Sequence, residues 1–524
     1  MSTGTAKAAT ESRVAAVGSG WWGRWTAGSR AADVALVAAV LIAGSVSRHA
    51  VYTDYGVVIL LGAVAAIAGA AAAWPAAGQA AAPSRVGVLV GLVLAFIAQV
   101  IKPPYMNVDG LTDVVHVGVG VCKVATVLAA VLLVAPRRIR AGVCWTALVA
   151  TLASYLLVVR GSTHPRIDVW AILQGASLGV VHGHNPYNMI FTGVPAGQVN
   201  DAFNYLPMTF LLPVPARLLA GDVRYGEAVA LFAGAVALVA LTLRAGRFAN
   251  PARPAAAQGT AVPAEPDDPE EPDDPAEPDD PAEAADPEGE RILTARQWVA
   301  PAVAVLAGVL PGVLYDVQQS WNETILFGAL ATAAVLVAVR RPNWAVVALV
   351  IALTTKQHVV LLLPLWALWR PFGWRRAVSA GAAAGLVMLP WVVADFSRFR
   401  YCVVDFFVNL PARTDSLSVW KLLPDPLRTP AVLALTLAAY LLAVRRLPAN
   451  AGGLLLGSGL VLAAFDLANK QSFLNQWLLA AQLVIGGLAM LAADPAVDRA
   501  RPRGRSLLRR PVSGQPAPAT PPSR

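Results

Sequence analysis

Few groups in this chain could carry chemistry, and Asp168 is set apart by its surroundings. It lies in the stretch from Arg160 to Leu206, RGSTHPRIDVWAILQGASLGVVHGHNPYNMIFTGVPAGQVNDAFNYL, which follows an apolar run and is dense in polar groups. From Asp168 to Val181 the residues Val169, Ile172, Leu173, Ala176, Leu178 and Val180 fall roughly on one helical stripe. That pattern predicts a helix lying flat on a membrane, its first turn in water. Asp168 then heads the helix, where the macrodipole favours a carboxylate. There it can act as a general base, or simply cap the helix or pair with Arg166.

Lys356 is the second such group. It sits in Thr354-Thr355-Lys356-Gln357-His358, between two apolar halves each too short to cross a bilayer. A buried ammonium needs a partner, which a phosphate or a carboxylate can supply; otherwise it snorkels to the interface. One carboxylate with cations nearby suits group transfer from a phosphate-linked donor. Glycoside hydrolysis needs a second carboxyl group to protonate a poor leaving group, whereas a departing phosphate needs only neutralising charge. His182-Gly183-His184, with His164 or Asp168, could offer metal ligands but lacks a fixed fourth position, so no metal site is expected. Cys122, Cys144 and Cys402 form neither a disulfide framework nor a CxxC pattern.

The elements that must position these groups are membrane helices. The chain has 524 residues, is 56% hydrophobic and 14% charged, and has a mean hydropathy of +0.57, too apolar for a soluble protein. It reads as an all-α polytopic membrane protein with about 12–14 hydrophobic spans. Spans are expected near 31–47, 56–74, 86–101, 113–135, 141–159, 226–243, 298–314, 322–339, 377–394, 427–444, 451–466 and 474–492. The segment 205–221, with Pro207, Pro213 and Pro215, predicts a broken or re-entrant helix, and 344–369 a hairpin or a polar-centred helix. The expected organisation is a cytoplasmic tail (1–30), N-terminal spans (31–140), a first core part (141–243) with an external loop at 160–205, an insert (244–297), a second core part (298–493) and a basic tail (494–524). In the insert EPDDP recurs at Glu265, Glu271 and Glu277, and Glu265 to Glu290 holds 14 of the 32 acidic residues, so a disordered spacer is expected there.

Lysine and arginine clusters place alternate gaps in the cytoplasm and Asp168 outside. On that reading nearly all other acids gather near the external side: Asp54, Asp109, Asp113, Asp201, Asp316, Glu323, Asp395, Asp405, Asp415, Asp425 and Asp466. Charge is expensive in lipid, so the asymmetry points to a polar cavity there. Its positive members are Arg166, Lys356, His358, Arg398, Arg400, Arg413, Lys421 and Lys470.

Several separated stretches then share one pattern: the Asp168 helix, His182-Gly183-His184-Asn185-Pro186-Tyr187, and Tyr205-Leu206-Pro207 before a Pro-rich span. Gln319 to Glu323, Thr355-Lys356-Gln357, Pro411 to Ser418 and Asn469 to Asn475 follow. In order and spacing these resemble the GT-C class of membrane glycosyltransferases, and most of all the actinobacterial polyprenol-phosphate-mannose-dependent mannosyltransferases of glycosyltransferase family 87. The likeness covers about residues 141–493. It implies a GT-C-like helical bundle whose large external loop carries juxtamembrane helices, and inverting transfer of mannose or a similar hexose from a polyprenyl-phosphate donor to an extracytoplasmic lipoglycan or glycolipid. It assigns Asp168 as base and Lys356, His358, Arg413 and Arg166 as donor-phosphate contacts. Asn185, Tyr187, Tyr205, Gln319, Asn322, Asp415 and Asn475 become substrate-lining. No cofactor is expected, because the lipid-linked sugar is a substrate. Expected partners are that donor, a lipid or glycan acceptor and the plasma membrane, with no nucleic acid. The four N-terminal spans and the insert depart from the family pattern. Two other readings use the same residues: a transporter or flippase of polyprenyl-linked sugar that breaks no bond, and an assembly scaffold tethered by its insert.

Overall fold

Apolar runs in a bilayer can satisfy their own N–H and C=O groups by coiling into helices, and these runs do so. The computed structural model describes residues 27–48, 52–75, 82–101, 111–248 and 299–494. The acidic repeat, most of both tails and Asp109 lie outside the described residues. In chain order the helices are α1 (Ala27–Arg48), α2 (Asp54–Ala72), α3 (Arg85–Ile101), α4 (Thr112–Val131), α5 (Arg137–Gly161), α6 (Asp168–Val181), α7 (Met208–Leu211), α8 (Val214–Ala220) and α9 (Arg224–Phe248). After the insert come α10 (299–308), α11 (Val313–Gln318), α12 (Glu323–Ala338), α13 (Pro342–Leu353), α14 (Leu363–Leu368), α15 (Trp374–Ala394), α16 (Phe396–Arg400), α17 (Phe406–Asn409), α18 (Asp425–Arg446), α19 (Ala451–Ala468) and α20 (Leu474–Ala493). No strand occurs among the described residues.

Among the described residues ten segments, α10 and α11 counting as one, are long and apolar enough to cross a bilayer. The apolar α3 and α12 are shorter than such a span, so the count is ten where the sequence suggested about 12–14. The protein is therefore an all-α polytopic membrane protein. The α10–α11 segment and α19 are each 94% buried at the centre, while α15 and α18, at 17% and 11%, turn apolar side chains outward. Close packing at the centre relies on small residues, as expected where lipid removes the hydrophobic drive between helices. At the α9–α12 crossing, a Cβ on Gly328 would lie 2.0 Å from the Ala230 carbonyl oxygen.

The bundle has two faces. At one, Arg224 reaches the carbonyls of Ser162 (2.7 Å) and Gln318 (3.1 Å), joining the end of α5, the start of α9 and the end of α11. The Tyr52 amide donates to the Asp415 carbonyl at 3.0 Å and the Leu417 amide to that of Ser472 at 2.7 Å, which puts the α1–α2, α17–α18 and α19–α20 connections on this Asp168 face. At the opposite face Ala82, Ala300 and Ala492 cluster, Asp33 accepts from the Ser84 amide at 2.7 Å, and Arg376 donates to Asn343 at 3.3 Å. That face carries Arg138, Arg340, Arg341, Arg375, Arg376, Arg445 and Arg446, with Asp33 and Asp494 as its acids among the described residues.

Two segments enter the bundle and return. Residues 342–369 form a hairpin whose ends both lie on the arginine face, and its tip is Thr354 to Gln357. From the Asp168 face, 205–221 meets that tip: the amides of Leu206 and Met208 donate to the carbonyls of Thr355 (3.3 Å) and Thr354 (2.8 Å). It then breaks at Pro213, which packs against Gly226 in the first turn of α9. This segment does not cross, so residues 248 and 299, at the ends of the insert, share the arginine face.

Candidate functional site

Helix α6 begins at Asp168, as the periodicity predicts, with Ile167 as its N-cap. Its apolar stripe, Val169, Ile172, Leu173 and Ala176, is buried against Tyr187, Phe191, Phe203 and Phe210, and Ser177 Oγ donates to the Phe210 carbonyl at 2.9 Å. The Asp168 carboxylate accepts the amide of Val169 at 2.8 Å, and its own amide donates to Gln198 Oε1 at 2.6 Å. Burial pushes its pKa above the ordinary carboxylate value of 3.8, while the Val169 amide and the Arg413 guanidinium pull it back. Arg413 is itself held by Asp415 through bonds of 2.9 and 2.6 Å and stacks 4.8 Å from the Phe473 ring centre.

Behind Asp168 lies Tyr205, buried and within electrostatic reach of Asp168, Glu323 and Glu227. Its ring centre is 5.9 Å from Lys356 Nζ. Lys356 is ion-paired with the fully buried Glu323, and the Asn475 side chain reaches the same carboxylate. Glu323 heads α12, and the turn before it is strained: Ser320 holds φ of 60°, a region non-glycine residues rarely adopt, while its Oγ donates to Glu227 Oε1 at 2.7 Å. Asp316 and Asp466 interact electrostatically with the Glu323–Lys356 pair. Three buried acids, Glu323, Asp316 and Asp466, thus act on one lysine, with Glu227 beside Glu323 and Asp316, and one oxygen on each of these four carboxylates has no hydrogen-bond partner, as is true of both polar atoms of Asn322. Buried polar atoms ordinarily have partners, in the protein or in ordered water, so this cluster is the most polar part of the interior around Lys356.

The structure brings together Asp168, Tyr205, Lys356, His358, Arg413, Asp415, Asn322 and Asn475 on one face, and it revises other assignments. The sequence left the partner of Lys356 open between phosphate and carboxylate, and Glu323 takes that place. Tyr187 is not substrate-lining: it is wholly buried, 4.8 Å ring to ring from Phe399, and its hydroxyl donates to the Tyr205 carbonyl at 3.0 Å. Asn185 is used locally, accepting the Tyr187 amide at 3.1 Å as the cap of a short turn. Gln319 is buried and donates to Gln318 at 3.0 Å. Arg166 lines a groove with His164 and Arg217 that Lys356 does not line. Among the described residues no three His, Cys, Asp or Glu side chains are arranged to hold a metal ion.

Arg224, Asp222 and Glu227 escaped the sequence reading. They stand at the head of an apolar run, where charge looks like an ordinary helix end. In fact Arg224 is fully buried, paired with Asp222 at 2.6 Å and 5.6 Å from the Trp170 ring centre, and so anchors the loop carrying α6 to the bundle. The signal was three ionisable groups within six residues at a predicted span.

No protein-family model matches this chain, and no curated protein or solved structure matches it.

Proposed function

We propose that the chain is an inverting integral membrane glycosyltransferase with a GT-C-like bundle. It moves a hexose, mannose foremost, from a polyprenyl-phosphate donor to a lipoglycan or glycolipid acceptor. The observation that carries the reading is the half-buried Asp168 carboxylate at the head of a juxtamembrane helix, under the influence of Arg413. Asp168 removes the proton of an acceptor hydroxyl while that oxygen bonds to the anomeric carbon. The bond from that carbon to phosphate breaks, and its electron pair leaves with polyprenyl phosphate, which gains one negative charge. Arg413 and Lys356 are the cations that neutralise this charge, Lys356 by sharing itself between Glu323 and phosphate. One displacement inverts configuration. The arginine face is cytoplasmic by the positive-inside rule, so Asp168 works on the extracytoplasmic side of the plasma membrane.

The buried acids around Lys356 favour a second reading, transport of a polyprenyl-linked sugar without bond chemistry, because intramembrane ionisable groups often mark substrate or ion paths. Purified protein in liposomes containing polyprenyl-phosphate mannose and a glycolipid acceptor separates the two. Donor consumption that Asp168→Asn abolishes, in a variant of unchanged thermal stability, supports transfer. Donor movement across the bilayer without consumption supports transport, and full turnover by Asp168→Asn removes Asp168 from the role of base.

A further inference from the structure

A second binding feature lies beside α6, and Asp168 is not part of its lining. The residues Ala171, Gln174, Gly175 and Leu178, spaced three and four apart along one face of α6, form one wall of a groove of about 610 Å³ closed on the other side by 189–195. His164, Arg166 and Arg217 line it, and no acidic residue does. The basic groups gather at the start of α6: Trp170 Nε1 meets Asp222 Oδ1 at 3.4 Å, and Arg217 donates to the neighbouring Gly221 carbonyl at 2.9 Å. The charge of Asp222 is taken up by Arg224, whereas Arg217 Nε is buried with no hydrogen-bond partner, as is Gln174 Oε1. Towards the other end lie Leu178 and Ile190, the latter 73% exposed. Eight residues separate Trp170 from Leu178, roughly 12 Å along a helix axis. The groove therefore grades from cationic to apolar over about the length from a phosphate to the first methylenes of an acyl chain.

We propose that this groove binds a membrane phospholipid, its phosphate held by Arg217 with Arg166 and His164, and its acyl chain laid along Leu178 and Ile190. The guanidinium supplies charge-assisted hydrogen bonds to the phosphate oxygens, and the apolar wall distinguishes a lipid from a free anion. The assignment is independent of Asp168, so it stands or falls apart from the transfer reaction.

The test is native mass spectrometry of the purified full chain with equal amounts of phosphatidylglycerol and phosphatidylcholine. The expected result is selective retention of one phosphatidylglycerol, weakened roughly tenfold by Arg217→Gln. Arg217→Lys should retain part of the selectivity, Ile190→Ser should weaken binding, and Arg445→Gln on the opposite face should change nothing. Should Arg217→Gln fail to fold, the exposed Ile190→Ser variant decides alone. Equal retention of both lipids, or unchanged retention in Arg217→Gln and Ile190→Ser, overturns the proposal. So does complete displacement by millimolar inorganic phosphate together with indifference to Ile190→Ser, which would mark a simple anion site.

Discussion

Asp168 and Arg413 act on each other through charge, and that relation is measurable. Burial raises the pKa of Asp168 and Arg413 lowers it, so a base in this position loses activity as pH falls through a value above 3.8. Arg413→Gln removes the favourable cation, raises the pKa further, and should move the acid limb of the pH–rate profile to higher pH. An unmoved limb would mean that Asp168 is not the group being titrated. Lys356 and Glu323 make the second pair. Lys356→Met leaves a buried carboxylate uncompensated and is expected to destabilise the protein by about 3 kcal/mol. Adding Glu323→Gln should then cost less than the sum of the single changes, as a double-mutant cycle of unfolding would record. The sequence made Lys356 conspicuous but not its partner, since Glu323 lies 33 residues away on another helix.

The elements that hold these groups are two re-entrant pieces and a surface helix. The boundaries of α6 were legible because its stripe and its leading carboxylate agree. For 344–369 the sequence left a hairpin and a polar-centred helix open, and the arginines at both ends together with contacts from Leu206 and Met208 to the tip decide for the hairpin, which spans 342–369. Because α12 carries Glu323 and crosses α9 at Gly328, that crossing controls the site indirectly. Gly328→Leu should separate the helices, lower thermal stability by about 3 kcal/mol and reduce activity, while Gly385→Leu, with open space around its Cβ position, should be tolerated. Equal stability of the two variants would contradict the close packing at the α9–α12 crossing.

For the molecule as a whole, the two faces differ in charge and therefore in the compartments they are expected to meet. Single cysteines at Thr192 and Asn343, in a background with Cys122, Cys144 and Cys402 replaced, should react with a membrane-impermeant thiol reagent from opposite sides of intact cells, Thr192 from outside. Reaction of Asn343→Cys from outside would invert the proposed orientation. Deleting 265–290 should leave transfer intact if that stretch is a spacer, whereas a scaffold would lose function by this deletion more than by Asp168→Asn. The sequence by itself determined helix class, the positions of ten spans, the place of α6 and the gathering of most described acids on one face, because hydropathy and period are local properties that a bilayer enforces strongly. Only the tertiary structure decided which charges meet. It paired Lys356 with Glu323, spent Tyr187 in the core, turned Arg224 into a buried anchor and set Arg166 in a separate groove. Such pairings join residues far apart in the chain, and no local pattern records them.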